Sequence, residues 1–457
     1  MTTSPVLPPA ALATERLWVT GIGALALFIA FAGDGIRNLL TIWGFGALSI
    51  AVALVCVGVI VRLKPPLDRS RLPKALIGYL GFALLSTAWS AYTQASLLTL
   101  TGTLLTTIVG VYLALVLNWS EFVRVLAIAL KWVLGLSILF ELWVALVVRA
   151  PVLPFFVDFG GEEPPLLAMW SRNLLFEGGR IQGIPGNSNL LAVIALLGII
   201  VFGLQLAAQS VRRGWGIAWL ALAVVIFGLT RSSTMILAAV AAAIVLGAAL
   251  LIRRAATPRA RTGVYLGLAA IAAAGILVVT VFSNVFLALF GKSEDLTGRL
   301  GIWDTVIGLA SERPWFGWGY SSPWIPWVEP FDDLIVRRGV LQLHAHNAWL
   351  DVWLQLGVVG VALFAAVIVS MLWRTWFAAV DRPRFDLRDD RPYTVLSLIP
   401  ILIAVVLVVQ SVAESRILIE SGWVLVVALA LKTKQYSVMD AVKQPDLSPT
   451  YAVETGR

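Results

Sequence analysis

Residues 233–252 read STMILAAVAAAIVLGAALLI, and Arg253 and Arg254 follow directly. The run holds no charged residue, and its length of about 20 residues is what a helix needs to cross roughly 30 Å of hydrocarbon. Similar apolar runs recur along the whole chain, so a single large buried core does not account for them. The stretch therefore predicts one span of an integral membrane protein.

The composition agrees with lipid as the main solvent. Of 457 residues, 59% are hydrophobic and 13% are charged, and the mean hydropathy is +0.89. A soluble globular chain carries roughly 25% charged residues, so a soluble fold could not bury this much apolar surface.

The single cysteine, Cys56, lies in an apolar run and permits no intramolecular disulfide. Residues 1–13 lack a cleavable signal pattern, so the first span is expected to stay in the mature protein.

Apolar runs and their breaks predict an all-α, multi-pass protein with twelve transmembrane helices. The runs end at Gly, Pro and clustered charges, which punctuate helices. The predicted spans lie near residues 17–32, 39–61, 75–90, 96–117, 122–149, 188–208, 215–229, 233–252, 263–290, 347–373, 394–413 and 418–431.

The basic residues give this topology an orientation. If the N-terminus is cytoplasmic, five separate basic segments all fall on the cytoplasmic side, as the positive-inside rule requires. Both ends of the chain are then predicted to be cytoplasmic. The segments are residues 62–74, Arg212 with Arg213, residues 253–261, residues 374–391, and Lys432 with Lys434.

Two long segments remain for the outer face, and both are rich in Gly, Pro, Trp and polar residues. They have no obvious strand or long helix, and loops of that length are uncommon unless they are functional or disordered. Their aromatic content argues against disorder, so we expect the chemistry on the outer face. The chain is therefore predicted to have four parts. Residues 1–290 contain spans 1 to 9 and the outer loop at 150–187, and residues 291–346 form a large extracytoplasmic loop between helices 9 and 10. Residues 347–434 contain spans 10 to 12, and residues 435–457 form a polar cytoplasmic tail.

A histidine motif opens the tenth span. Residues 344–350 read HAHNAWL and continue to GVVG at 357–360. Further upstream stand LTGRLGIW at 296–303, RPWFGWG at 313–319 and GRIQGIPGNSN at 179–189. With the span count and the large outer loop, these stretches resemble the O-antigen ligase and polymerase superfamily of membrane glycosyltransferases. That superfamily usually shows Ser-Arg at the outer end of a middle span, whereas Arg231 here precedes Ser232 and Ser233.

The resemblance implies transfer of a glycan from an undecaprenyl-pyrophosphate carrier to a hydroxyl of a glycan or glycolipid acceptor. It places the reaction on the outer, extracytoplasmic side of the cytoplasmic (inner) membrane, and it implies no nucleotide sugar, no metal and no other cofactor. It also implies a helical bundle with an opening toward lipid and a capping outer loop. Two histidines do not suffice for a zinc cage, and the sequence carries no nucleic-acid-binding motif.

Arginines and a histidine could perform this chemistry. A departing pyrophosphate gains negative charge, which planar guanidinium groups stabilise through paired donors. Arg180, Arg231 and Arg299 all fall on the predicted outer side, although interfacial arginines often only extend to lipid phosphates. Histidine suits removal of a proton from the acceptor hydroxyl near neutral pH, so His346 is the candidate base. His344 is a candidate substrate or structural partner, and its ring should point elsewhere if the helix has already begun.

Other residues and other functions remain open. The outer acids could orient the histidine or hold the arginines, and the outer tryptophans could stack on sugars or form an interfacial belt. A polymerase of the same superfamily, a flippase for an anionic lipid-linked substrate and a peptidoglycan-type polymerase are the competing functions. The acids are Glu177, Glu294, Asp295, Asp304 and Asp351, and the tryptophans are Trp303, Trp315, Trp318, Trp324, Trp327 and Trp349.

Overall fold

The fold is a bundle of α-helices, seen in a computed structural model. It describes residues 9–157, 163–281, 294–321, 324, 327, 332, 334–337, 340–381 and 393–435. Within these ranges the helices are α1 (Pro9–Phe31), α2 (Gly33–Leu63), α3 (Lys74–Leu85), α4 (Thr93–Leu115), α5 (Trp119–Trp143), α6 (Ser188–Ala207), α7 (Arg213–Thr230), α8 (Ser233–Arg254), α9 (Pro258–Val281), α10 (Glu294–Glu312), α11 (Ala348–Val380), α12 (Ile399–Ser411) and α13 (Glu420–Gln435).

The predicted all-helical, multi-pass architecture is confirmed. Each of the twelve predicted spans overlaps a helix of the bundle. In the part of the chain that the structure describes, seven helices are long and apolar enough to cross a membrane, namely α2, α4 to α8 and α11. Helices α3 and α12 are apolar but shorter, so the count of twelve crossings stays a prediction. Residues 282–290 of the ninth predicted span and residues 436–457 of the predicted tail lie outside the described residues.

The segment at residues 291–346 differs from its prediction as a loop without regular structure. It contains α10 and a small antiparallel pair, β1 (Val336–Arg337) and β2 (Val340–Leu341). Helix α10 buries Ile302, Val306 and Ala310, which are spaced four residues apart and therefore share one face. A search for continuous apolar runs misses this stripe, because polar residues such as Asp304, Thr305 and Ser311 interrupt the run on the exposed side of α10.

Helix α11 is interrupted at Gly357, whose φ of 65° is a left-handed backbone conformation. The interruption frees backbone groups, and the segment after α10 satisfies them. The N–H of Val358 donates to the carbonyl of Pro314 at 2.8 Å, and the N–H of Trp318 donates to the carbonyl of Leu354 at 3.0 Å. The RPWFGWG stretch thus contacts the interruption at the GVVG stretch through backbone hydrogen bonds.

We expect Gly357→Ala to lower the stability of the protein by about 1 to 3 kcal/mol or more, the cost of a strained left-handed residue. A Cβ atom at this position would lie 2.2 Å from the carbonyl carbon and oxygen of Trp315. The measurement is the midpoint of thermal unfolding in detergent. Gly247→Ala is the matched control, since a Cβ there meets nothing within 4 Å. Equal midpoints for the two variants would show that the interruption is not tightly packed.

Four charged side chains connect the start of α2 to the segment between α12 and α13 and to the start of α13. Arg37 pairs with Asp34 and Glu420, and Arg416 pairs with the same two acids, at 2.7 Å in the case of Glu420. These pairs hold the short segment of residues 412–419 against α2. That segment carries part of the candidate site.

Candidate functional site

A buried carboxylate on α5 holds the loop that carries Arg180. Glu141 accepts hydrogen bonds from the backbone N–H groups of Gln182, at 2.9 Å, and Gly183, at 2.7 Å. It also accepts one from the hydroxyl of Ser171 at 3.0 Å. Because Glu141 is almost fully buried, these donors replace the water that its carboxylate would otherwise require. The loop is therefore fixed two residues beyond Arg180.

The guanidinium of Arg180 points into the bundle and binds the start of α6. It donates to Oδ1 of Asn189 at 2.7 Å and to the carbonyl of Thr230 at 3.2 Å. The hydroxyl of Ser232 donates to the same Oδ1 at 2.9 Å. The Nδ2 of Asn189 in turn donates to Oε1 of Glu414 at 3.0 Å. Asn189 thus connects the arginine to a carboxylate more than two hundred residues away in the chain.

Glu414 is the centre of this hydrogen-bond network. It lies between α12 and α13 and is 4% exposed. Its Oε1 accepts from Nη2 of Arg299 at 2.8 Å, and its Oε2 lies 3.1 Å from Nδ1 of His346. Burial alone would raise the pKa of Glu414, but His346 and Arg299 beside it hold that pKa well below its usual range. The carboxylate is therefore ionised at neutral pH.

His346 stands immediately before α11, with a left-handed φ of 50°. Asn347 begins the helix by accepting the N–H of Trp349 on its side chain at 3.0 Å. An ionised carboxylate only accepts hydrogen bonds, so Nδ1 of His346 carries the proton that Glu414 receives. In the neutral ring, Nε2 is then the basic nitrogen. Oε1 of Gln342 lies 3.1 Å from it, and because an amide oxygen only accepts, this contact is a hydrogen bond only when Nε2 also carries a proton.

His344 lies against His346; its ring was expected to point elsewhere only if the helix had already begun. The two ring centroids are 4.0 Å apart, and Nδ1 of His344 accepts the backbone N–H of His346 at 3.2 Å. The helix begins only at Ala348, so helical spacing does not separate the two rings. Burial, together with the neighbouring His346, lowers the pKa of His344 well below its usual value. His344 is thus a neutral acceptor that supports the turn of His346.

A second buried acid, Asp351, ties the histidine turn to the Glu414 turn. It accepts the backbone N–H of Ala345, between the two histidines, at 3.1 Å and the indole N–H of Trp324 at 2.9 Å. It also accepts the hydroxyl of Ser415, the residue after Glu414. Of the other predicted acids, Glu177 and Asp304 are exposed, and the side chains of Glu294 and Asp295 lie outside the described residues.

Arg231 lies at the edge of the network. It ends α7 in a left-handed conformation with a φ of 48°, and it is exposed. Its Nη2 is 3.7 Å from where a Cβ on Gly178 would lie, so its guanidinium reaches the turn before Arg180. Four of the five predicted site residues therefore meet in one network, and Arg231 borders it.

Three side chains of the network could also hold a metal ion. In the described part of the chain, the ligand atoms of His344, His346 and Glu414 lie within 4.8 Å of one another. The sequence prediction of no metal considered the two histidines alone, because Glu414 is distant in the chain. Two nitrogens and one carboxylate would suit a divalent ion with an open position, so the absence of a metal requirement stays a prediction.

Most of the tryptophans that were candidates for sugar stacking have a structural hydrogen bond. Trp315 and Trp327 are exposed and remain candidates for contact with a glycan. The other four donate their indole N–H groups to protein acceptors: Trp303 to the carbonyl of Ala345 at 3.0 Å, Trp318 to that of Leu309 at 2.9 Å, Trp324 to Asp351 at 2.9 Å, and Trp349 to the hydroxyl of Ser411 at 3.0 Å.

Sequence reasoning missed Glu414, Asn189 and Glu141. Glu414 had a usable signal, because an acid beside Arg416 in a short turn between two apolar spans lies on the same predicted face as the arginines. Asn189 ends the GRIQGIPGNSN stretch that was already singled out. Glu141 lies within an apolar span, where an acid is costly and marks a functional or positioning role by default.

Comparison with known proteins adds two matches. Residues 217–365 match the family model described as O-antigen ligase. A segment of 95 residues is 30% identical to the exopolysaccharide production protein ExoQ of Rhizobium meliloti (strain 1021). That segment covers 19% of this chain and 21% of ExoQ, so the chain aligns with about a fifth of the length of this relative. The family match includes Arg231, Arg299 and both histidines, and it leaves Arg180 and Glu414 outside.

Proposed function

We propose that this chain belongs to the O-antigen ligase and polymerase superfamily, whose ligase model matches residues 217–365, and that it transfers a glycan from an undecaprenyl-pyrophosphate carrier to an acceptor hydroxyl. The reaction takes place at the extracytoplasmic face of the cytoplasmic membrane. The observation that supports it most is the convergence of Arg180, Arg299 and His346 on Glu414, through Asn189 in the case of Arg180. Cations for a leaving pyrophosphate and a base for a hydroxyl are what this transfer needs.

In the proposed step the acceptor oxygen attacks the anomeric carbon of the glycan. The bond from that carbon to the pyrophosphate oxygen breaks, and the electron pair leaves with the pyrophosphate. The acceptor proton moves to Nε2 of His346, so the acceptor hydroxyl takes the place of the amide of Gln342, 3.1 Å from that nitrogen. Glu414 holds Nδ1–H, orients the ring and stabilises the imidazolium that forms.

The charge balance of the site favours an anionic substrate. Arg180 and Arg299 belong to the network and Arg231 borders it, while Glu414 and Asp351 are the buried carboxylates of the site. The three guanidinium groups outnumber these two carboxylates, so the site attracts a pyrophosphate before the chemistry starts. Because a guanidinium stays protonated, it stabilises the leaving group without transferring a proton.

Polymerisation of the same kind of lipid-linked glycan is the second candidate. The resemblance of one segment to an exopolysaccharide production protein favours it, since a growing exopolysaccharide would then be the acceptor. The two activities share one bond-forming step and differ in the acceptor. A flippase would use the same arginines to bind the lipid without breaking its glycosidic bond.

The test of the proposed function is a transfer assay with the purified full-length chain, a polyprenyl-pyrophosphate glycan and separate glycolipid and glycan acceptors. We expect a new glycosidic bond and release of the polyprenyl pyrophosphate, with a rate that excess chelator leaves unchanged. Product on the glycan acceptor alone would identify the polymerase. Movement of intact donor between leaflets of a vesicle, without product, would identify the flippase. Loss of activity in chelator, with recovery on adding one divalent metal, would overturn the metal-free step.

We expect Arg180→Lys to lower the rate of transfer by about 10-fold to 100-fold, although the charge is kept. A lysine supplies one compact ammonium in place of a planar fork, and it cannot reach both Asn189 and the carbonyl of Thr230 in the same way. The measurement is kcat/KM for the lipid-linked donor. Arg172→Lys is a control on the same outer segment, since Arg172 is bonded to the carbonyl of Leu166, away from the network. A near-normal rate in Arg180→Lys would remove the paired-donor role.

A further inference from the structure

A cavity lined by aromatic and basic side chains lies at the other end of α6 and α7. It has a volume of about 170 Å³ and is lined by Lys131, Gln205, Arg212, Trp215, Trp219 and Phe202. Helix α6 starts beside the candidate site and runs for 20 residues to Ala207, about 30 Å at 1.5 Å per residue. The cavity is therefore separate from the glycan-transfer site, at the face that the basic loops assign to the cytoplasm.

The ammonium of Lys131 lies inside this cavity against aromatic rings. Its Nζ is 5.8 Å from the ring centroid of Phe202 and 5.9 Å from that of Trp219, and Trp215 lies beside Trp219. Aromatic faces attract a cation, but they do not neutralise it. Among the described residues no carboxylate forms an ion pair with Lys131 or with Arg212 at the rim.

Further positive charge surrounds the opening. Arg124 is exposed two helical turns before Lys131 on α5 and so shares its face. Arg213 follows Arg212 at the start of α7. Trp215 is 66% exposed, as expected of an indole at the membrane interface. A partly buried cation, a basic rim and an interfacial tryptophan describe a receptor for an anion that arrives from the membrane surface.

We propose that the cavity between α5, α6 and α7 binds the phosphate of an anionic phospholipid headgroup in the cytoplasmic leaflet. The volume suits one phosphate-sized group, since pockets for drug-sized ligands are about 300 to 1,000 Å³. Lys131 pairs with the phosphate from within, Arg212 pairs with it at the rim, and the exposed face of Trp215 lies along the lipid. The bound lipid joins α5 to α7, two of the helices that lead to the Arg180 loop.

The test is lipid binding to the purified full-length chain, counted by native mass spectrometry. Phosphatidylglycerol and phosphatidylcholine are titrated separately, and the parent is expected to retain phosphatidylglycerol more strongly. Lys131→Met keeps the length of the side chain and removes its charge, so the affinity for phosphatidylglycerol should fall by about fivefold or more. Binding of phosphatidylcholine should not change. Arg212→Gln, at the solvent-exposed rim, should give a smaller decrease in the same direction.

Arg259→Gln is the matched control, because it removes an exposed cation from the start of α9, at the same predicted face. Free inorganic phosphate is the second ligand, and competition by phosphate would show that the site binds the phosphate group itself. Failure of phosphate to compete, with Lys131 still required, would show that the acyl chains contribute to the affinity. Equal phosphatidylglycerol binding by the parent, Lys131→Met and Arg259→Gln would overturn the proposal, as would equal retention of the two lipids by the parent.

Discussion

Replacement of His346 by alanine is expected to lower the rate of glycan transfer by about 10²-fold to 10⁴-fold, the usual contribution of a general base. The variant leaves the acceptor hydroxyl without a proton acceptor at the position of Nε2, which the Glu414 contact orients. The measurement is single-turnover transfer with saturating donor. Because the arginines remain, binding of the donor should change little, and the loss should appear in the chemical step.

The control for this variant is Leu343→Ala, which changes a half-exposed side chain in the same segment. It should transfer at close to the parent rate. Unchanged turnover in His346→Ala would contradict the role of the histidine.

Replacement of Glu414 by alanine is expected to lower the free energy of unfolding by about 3 to 5 kcal/mol, because it leaves the buried Arg299 without its carboxylate. Transfer should be lost as well, since His346 loses its orienting partner and Asn189 loses the acceptor of its Nδ2 group. The measurements are chemical unfolding in mixed micelles and the transfer assay at a temperature where the variant is folded.

A double variant separates the two effects. Arg299→Met with Glu414→Leu removes both charges from the buried site, so most of the lost stability should return, while transfer stays lost.

The ion pair of Arg299 and Glu414 also predicts that the stability of the protein depends on pH. Because the pKa of Glu414 is lower in the folded protein than its ordinary value of 4.5, its stabilising contribution is complete above about pH 4.5 and decreases as the pH falls below that value. The double variant should lack this decrease, and an equally acid-sensitive double variant would contradict the assignment.

The sequence predicted the helices well because membrane crossing imposes a strong local signal. A span such as residues 233–252 has to satisfy its backbone within one helix and present apolar side chains to lipid, and both requirements are readable from adjacent residues. Helix α10 was missed for the converse reason. Its buried face consists of Ile302, Val306 and Ala310 packed on other protein segments, and so its composition does not resemble a span.

The sequence predicted the charged residues of the candidate site, but it did not predict the hydrogen bonds between them. Arg180, Arg299 and His346 could be selected because cations and an imidazole are costly near a membrane and because short motifs surround them. The contacts of Glu414 with His346 and Arg299 became visible only in the structure, because they depend on the packing of helices far apart in the chain. The close contact between His344 and His346 likewise depends on where α11 begins.

The amino-acid sequence by itself determined that this chain lies in a membrane, where its apolar helices fall and which residue types are available for the chemistry, because each of these follows from the solvation of neighbouring residues. The tertiary structure alone decided that Glu414 joins His346 to Arg299 directly and to Arg180 through Asn189. A hydrogen bond requires atoms to approach within about 3 Å, and only the packing of distant helices brings these atoms so close.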